Sequence, residues 1–422
     1  MSAGRVAVVG ASAAGLAAAE ALRRHGWQGE LSLIGAEPHL PYDRPPLSKQ
    51  VLSGAWAPER TWLRTREQLD SLGMDVRLGV SVAEMDSGAR SVADRETGVR
   101  HLTLSDGSGL DCAGVIAATG LLARAFPGAE GIAGVRGLRC MDDAMALREQ
   151  LSTPGRRVAV VGNGVLGSEI AAVVRESGHE VALIGPSATP MEHTVGPFLG
   201  GLLARAHDAR GVALYGGRLV ESLGTVAGAV RSVLLDDGTE LAADLVLTAT
   251  GSTPATAWLA GTEGLDLSDG LGCDAYCAAA PGLYAAGDVA RWHHPVYGRA
   301  LRVEHRMNAT EQGMAAARNL LAVLRPGLGL TATPFAPVPY FWSDQYDVKL
   351  QAYGLLTPGG QTHTQIVDGD RPSAAALYGE DGLATGVAAA GLPPRTVRAL
   401  RAVIATPAPW DEALIGFKEA LG

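Results

Sequence analysis

Lysine is nearly absent from this chain. Of its 35 basic residues only Lys49, Lys349 and Lys418 are lysines, and the rest are arginine. Where basic positions are filled by arginine, a lysine marks chemistry that needs a compact ammonium with a tunable pKa. Lys349 and Lys418 read as ordinary surface positions, which leaves Lys49. Cysteine is scarce too: Cys112, Cys140, Cys273 and Cys277 form no disulfide framework, which fits a reducing cytoplasm. Cys273 and Cys277 lack a second ligand pair, and His293 and His294 stand without further ligands, so no metal site is expected. No apolar run reaches bilayer-spanning length, so no membrane segment is expected either. A net charge of -9 excludes general nucleic-acid binding, which depends on neutralising phosphates.

What is abundant is small and apolar. With 422 residues, 47% hydrophobic and 55 glycines, the chain can bury a large core in roughly two or three close-packed α/β domains. Residues 5–22, RVAVVGASAAGLAAAEAL, read as a buried strand, a tight turn and a helix. Gly10, Ser12, Ala13, Ala14 and Gly15 are all small, so a diphosphate can reach the backbone N–H groups where the helix dipole favours negative charge. Alone, this stretch also fits a strand–turn–helix that merely packs tightly. A signal peptide is a further alternative, discounted because cleavage would remove a strand and turn that the rest of the chain uses.

Residues 31–34 form a second strand, followed by Glu37, an acid placed to accept the hydroxyls of an adenosine ribose. LPYDRPPLSK, residues 40–49, carries three prolines that fix a rigid entry to a helix near Leu47 and so hold Arg44 and Lys49 in defined places. Trp56 and Trp62 read as loop-packing aromatics. From Met74 onward short strands with turns at Thr97-Gly98 and Asp106-Gly107 lead into a strand ending at Thr119-Gly120. A linker over 127–137 and a helix over 142–151 follow.

The opening then recurs. Residues 157–161 form an apolar strand, followed by Gly162, Gly164 and Gly167 in full G-x-G-x-x-G spacing and a helix starting near Ser168. Residues 102–120 align without gaps on 233–251, ending at Gly251, with eight of nineteen positions identical. Two nucleotide cradles with one internal plan are far harder to obtain by chance than one. In the second, the strand over 181–184 ends in Gly185-Pro186-Ser187, with no acid for a ribose hydroxyl and no Arg or Lys before Arg205. The choice between NADH and NADPH therefore stays open. Further on, a strand of small residues delivers Gly287-Asp288, which suits a carboxylate set against a sugar-alcohol hydroxyl. A helix over 308–324 closes that domain, prolines over 326–339 mark a linker, and a third α+β unit follows.

VVGASAAGLAAAEALR, GAEPHLPYDRPPLSK, VVGNGVLGSE, GLYAAGDVARW, VEHRMNATEQG and VPYFWSDQYDVK together resemble the FAD-dependent NAD(P)H–ferredoxin reductases of bacterial cytochrome P450 and Rieske oxygenase systems, within the glutathione-reductase-like flavoproteins. The resemblance implies an α/β protein with two Rossmann-type three-layer nucleotide-binding domains and a C-terminal α+β interface domain. FAD would occupy 1–120 with 247–325, NADH or NADPH would occupy 121–246, and 326–422 would be the interface domain. It implies that Lys49 lies near flavin N5 and pairs with Glu169, which would flank the nicotinamide. A cation near the ring helps hydride arrive, and a carboxylate holds the cation and favours a positively charged nicotinamide. With no CxxxxC pair after the first cradle, electrons should leave directly from flavin.

Three departures stand at the working surfaces. The family often has Arg-Pro-Arg after Ala118-Thr119-Gly120, of which only Arg124 remains here. Its E-H-W-x-N-A reads Glu304, His305, Arg306, Met307, Asn308, Ala309, with arginine where a tryptophan usually covers the flavin and faces the ferredoxin. The third is Gly185. Two functions follow: an electron-transfer enzyme that passes single electrons from FAD to a ferredoxin, or a diverged flavoenzyme acting on a small organic substrate or oxygen in a biosynthetic pathway. Arg291, Arg299, Arg302 and Arg306 form a basic cluster that would steer an acidic ferredoxin or, in the alternative, belong to a solvated charged loop near phosphate. The expected form is a cytoplasmic monomer or homodimer that binds neither nucleic acid nor membrane.

Overall fold

Val6–Val9 is buried at every position, as a strand must be when it has neighbours on both sides and layers on both faces. The computed structural model describes residues 4–86, 100–368 and 373–422, so the turn expected at Thr97-Gly98 lies outside the described residues. Two units emerge: Met1–Asp43 with Glu59–Leu122 and Ser252–Pro337, and Arg44–Pro58 with Ala123–Gly251 and Val338–Gly422.

In the first unit Val6–Val9 pairs in parallel with Leu31–Gly35 and Gly114–Ala117. Asp75–Leu78 and Leu283–Ala285 extend the sheet in parallel, and Ala278–Ala280 closes one edge antiparallel. On one face the helix Ala13–Arg24 runs along the helix Arg306–Leu324. Only glycine fits where they meet, because a Cβ at Gly313 would lie 2.3 Å from the carbonyl oxygen of Ala14. Trp27, Leu22 and Leu33 fill the space beside them. On the other face, the antiparallel strands Val82–Asp86, Arg100–Leu104 and Gly109–Cys112 set Met85, Leu102 and Cys112 against Ala7 and Val9.

The second unit repeats this plan. Arg157–Val161 lies between Glu180–Gly185 and Leu245–Thr248, with Ala213–Gly216 and Val135–Gly137 at the edges, all parallel. The strands Val220–Val226, Ala229–Leu235 and Glu240–Ala242 form its antiparallel meander. The repeated nineteen residues thus carry the same structure twice: the last hairpin of a meander, then the strand beside a cradle. The same unit contains an antiparallel sheet in the order Tyr340–Gln345, Val348–Gly354, Leu383–Ala390, Ser373–Glu380, Gln361–Asp368. Helices Pro394–Val403 and Trp410–Leu421 cover one face of it, and Glu192–Asp208 packs on the other.

Local boundaries differ from the sequence reading for identifiable reasons. The second cradle's helix starts at Val165 rather than near Ser168, because Gly164 is its extended N-cap. The helix expected near Leu47 is a single 3-10 turn, Pro45–Ser48. The chain leaves the helical region at Lys49, whose φ is -124° and ψ -101°.

Gly313→Ala is expected to force the two helices of the first unit apart and to cost about 1–3 kcal/mol. A lowered denaturant midpoint in equilibrium unfolding checks it.

Candidate functional site: two dinucleotide cradles and a buried ion pair

Both cradles are built on one close approach. Gly10 has φ +117° and Gly162 φ +111°, backbone that an L side chain rarely adopts. A Cβ on Gly10 would sit 2.1 Å from the carbonyl oxygen of Ala118, and one on Gly162 2.2 Å from that of Ala249. At Gly15 and Gly167 a Cβ would stand 1.7 Å from the carbonyl oxygens of Gly10 and Gly162 respectively. The helix therefore starts against the strand end, and its first N–H groups face a space where a phosphate would fit.

That space is kept clear. Ser12 caps the first helix with extended backbone and makes no side-chain capping bond among the described residues, and the first turn carries no acid. Gly164 holds the same place in the second cradle, and nothing among the described residues lies within 4 Å of where its Cβ would be. The residues present thus fit a dinucleotide diphosphate in each unit. Ala13 and Ala14 are buried, and a Cβ on Gly287 would lie 3.0 Å from the Cβ of Ala14, which brings Gly287-Asp288 against the first cradle. The N–H of Gly287 donates to Gln312 Oε1 at 2.9 Å. Glu37 follows the second strand and accepts from the Tyr42 hydroxyl at 2.5 Å. Thr119 donates to the Ala255 carbonyl at 2.8 Å, and Gly120 turns the chain with φ +67°. Burial pushes the His305 imidazole down to about 4.

In the second unit the Arg124 N–H donates to the Gly251 carbonyl at 3.0 Å. Arg44 donates to the Arg139 carbonyl at 2.8 Å. Two features at Gly185 escape sequence reasoning. A Cβ there would stand 2.2 Å from Asn163 Oδ1, and the Asn163 amide donates to the Ser187 carbonyl at 2.7 Å. The counterpart of Gly185 in the first unit, Gly35, is crowded in the same way, since a Cβ there would lie 2.7 Å from that of Ala11. The backbone N–H of Arg218 donates to the Gly185 carbonyl at 3.1 Å, and its guanidinium engages Asp237 at 2.9 Å. The backbone of a basic residue therefore meets this strand end, while its charge is committed to Asp237.

Lys49 and Glu169, far apart in sequence, form a buried ion pair of 2.7 Å within the second unit. The 3-10 turn of the proline segment aims two neighbours at one carboxylate, because Ser48 also donates to Glu169 Oε2, at 2.9 Å. The other oxygen, Oε1, accepts from Ser343 at 2.9 Å. Neither serine stood out in the sequence; YFWSDQYDVK was visible only as a motif.

The expected basic cluster needs correction. Arg291 pairs with Asp266, Arg302 with Asp269 and Glu304, and Arg306 with Asp43 and Thr310. Three of its four charges are therefore met by acids of the same unit, and its field on a partner is much weaker than a count of arginines suggests.

The family model described as pyridine nucleotide-disulphide oxidoreductase matches residues 4–313. The chain belongs to this family. A second model, reductase C-terminal, matches residues 340–417. The ferredoxin–NAD(+) reductase component of an anthranilate 1,2-dioxygenase system from Burkholderia cepacia is 36% identical over 97% of this chain and 96% of its own. Putidaredoxin reductase of Pseudomonas putida is 34% identical over 83% and 80%. The solved covalent putidaredoxin reductase–putidaredoxin complex superposes with a TM-score of 0.88 over 100% of this chain and 99% of that one, at 29% identity. This chain is accordingly an FAD- and NAD(P)H-dependent oxidoreductase. The disulphide of the family's description has no counterpart among the described residues: all four cysteines are free. Burial pushes the Cys112 and Cys277 thiols up to about 12 and Cys273 well above its ordinary value. Thiols held protonated in this way are poor nucleophiles.

Gly185→Glu is expected to displace Asn163 and lower the melting temperature by several degrees, and Asn163→Gly in the same chain is expected to recover most of the loss. Thermal melts of the single and double variants check the pairing.

Proposed function

We propose that this chain carries reducing equivalents from NADH or NADPH through FAD to a small iron–sulfur ferredoxin that serves a cytochrome P450 or Rieske-type oxygenase. The observation that carries this reading is the buried Lys49–Glu169 pair in a family member with two dinucleotide cradles and no cysteine pair. Bound FAD would supply hydride acceptance from a reduced nicotinamide and one-electron delivery to an acceptor.

The residues divide the work. Gly10, Ser12, Ala13, Ala14 and Gly15 would hold the FAD diphosphate on helix N–H groups, Glu37 the adenosine ribose, and Asp288 a sugar-alcohol hydroxyl. Thr119, Gly120, Glu304, His305 and Arg306 are assigned to the same cofactor. Gly162, Gly164 and Gly167 would hold the nicotinamide nucleotide, with Arg44, Arg124 and Gly251 completing the set. Lys49 is assigned the cation that favours an electron-rich flavin, and Glu169 the carboxylate that holds it. The domain division 1–120 with 247–325, 121–246 and 326–422 follows the same assignment. Among the described residues no helix is long and apolar enough to cross a membrane, and we place the reaction in the cytoplasm.

Anaerobic titration of the yellow holoprotein with NADH and with NADPH, followed by a ferredoxin and a terminal acceptor, tests the reading. Bleaching of the flavin spectrum and ferredoxin-dependent reduction of the acceptor are expected; a flavin that neither nucleotide bleaches would sink it. Lys49→Ala is expected to slow flavin reduction about 100-fold with FAD retained, the scale seen when one preorganised electrostatic group is removed. Loss of FAD instead would make the lysine structural.

A further inference from the structure

Glu169 is the end of a longer arrangement within the second unit. A carboxylate only accepts hydrogen bonds, so Ser343 must spend its single proton on Oε1. The Ser343 oxygen then accepts from Gln345 Nε2 at 3.2 Å. That orientation turns Gln345 Oε1 toward His207, whose Nε2 lies 3.0 Å away and must carry the ring proton. His207 Nδ1 is left as an acceptor, and the Tyr346 hydroxyl stands 3.1 Å from it. Every donor in the series points toward Glu169. Ser343, Gln345 and His207 are each at most 1% exposed.

Two further observations separate this series from ordinary core packing. Among the described residues only five other than glycine have positive φ, and Tyr346 at 57° and Met191 at 60° both belong to it. Met191 Sδ receives a second bond from Gln345 Nε2 at 3.1 Å. Backbone held in this region by bulky residues persists only where the surroundings over-determine it, and it concentrates at functional positions. The ends are also kept in the required proton states. Burial lowers the His207 imidazole below its ordinary value, and burial pushes the Tyr346 phenol up to about 12. Arg210 lies over the Tyr346 ring at 4.3 Å and pairs with Asp347, which fixes the outer end.

We propose that Ser343, Gln345, His207 and Tyr346 are positioning residues for Glu169, a one-way hydrogen-bond chain that fixes the carboxylate holding Lys49 and so sets the rate of flavin reduction. This rests on the redox reading of the Lys49–Glu169 pair. The chain adds no proton-transfer step, since an amide in its middle orients but does not conduct. Its effect is cooperative orientation: each donor polarises the next, and cutting any link loosens the same carboxylate.

The test is a double-mutant cycle on the holoprotein with Ser343→Ala, Tyr346→Phe and both together, plus Ser343→Thr and Lys49→Ala. Ser343→Ala is expected to lower the limiting rate of anaerobic flavin reduction by NAD(P)H about tenfold or more, the worth of a hydrogen bond to a charged group. FAD content and half-saturation by the nucleotide should hold. Tyr346→Phe should slow the step less, Ser343→Thr should restore most of the rate, and Tyr346→Phe should add nothing once Ser343 is alanine. A readout independent of turnover is histidine nitrogen NMR: His207 should be neutral, protonated at Nε2 and bare at Nδ1, with the Nδ1 resonance shifted in Tyr346→Phe. Additive rates, or a proton on Nδ1, would overturn the chain. A wild-type rate in Ser343→Ala alongside a slow Lys49→Ala would overturn it while leaving the redox pair standing. A wild-type rate in Lys49→Ala removes the reading of the pair, and the proposal with it. If Ser343→Ala does not fold, Tyr346→Phe decides on rate and resonance alone.

Discussion

The structure depends on a carbonyl oxygen that leaves no room for a side chain. In each unit that oxygen, on Gly10 or Gly162, lies where the Cβ of Gly15 or Gly167 would have to be. This approach draws the helix start against the strand end, forces the positive φ of the first glycine, and presents helix N–H groups where a diphosphate can take the place of water. The layers then follow. A helix pressed so tightly on one strand needs small residues along its buried face, and Ala14, Ala17, Ala18 and Ala21 supply them in the first unit. The one position without this constraint is the middle of the turn, and there the copies differ, with Ser12 in one and Gly164 in the other.

The second organising interaction is electrostatic. Lys49 and Glu169 are both largely withdrawn from water, and their mutual attraction offsets that loss only with good geometry and further hydrogen bonds. Both conditions are met: a 2.7 Å pair, and a hydroxyl on each carboxylate oxygen. Removing one partner from such a pair typically costs about 3–5 kcal/mol. Against a well-packed apolar pair the intact ion pair gains little or nothing, so it is weak evidence of stabilisation and is consistent with the role assigned to it above. A guanidinium is a planar fork that spreads its charge, whereas an ammonium concentrates it on one nitrogen.

Much of this was legible in the sequence, because cradles and repeats are local. The strands, the glycines at fixed spacing and the paired meanders depend on neighbours a few residues apart, and the family resemblance supplied Glu169 as the partner of Lys49. Three things were not legible. Ser343 reaches the same carboxylate across 174 positions, and a serine carries no signal until its partner is known. Asn163 carries no signal of its own between two glycines, yet its side chain occupies the space in front of Gly185. The arginine cluster looked like free charge because the acids that meet it, Asp43, Asp266 and Asp269, lie elsewhere in the chain. In each case the missing information was a pairing between distant segments, which no periodicity reports.

That last point changes what Arg306 means. As a substitution for tryptophan it suggested added positive charge on a partner-facing surface. Bonded to Asp43 and Thr310, it instead ties the start of the helix Arg306–Leu324 to the end of the first chain segment. The net electrostatic change from that substitution is then small, since a paired surface arginine is screened by its own acid and by salt. Against the tryptophan that the resemblance implies, the position would lack an aromatic face, whose contributions are short-ranged. A redox partner docking at this surface would therefore depend on close-range fit more than on long-range steering, and ionic strength should matter less to it than the excess of arginine over lysine implies.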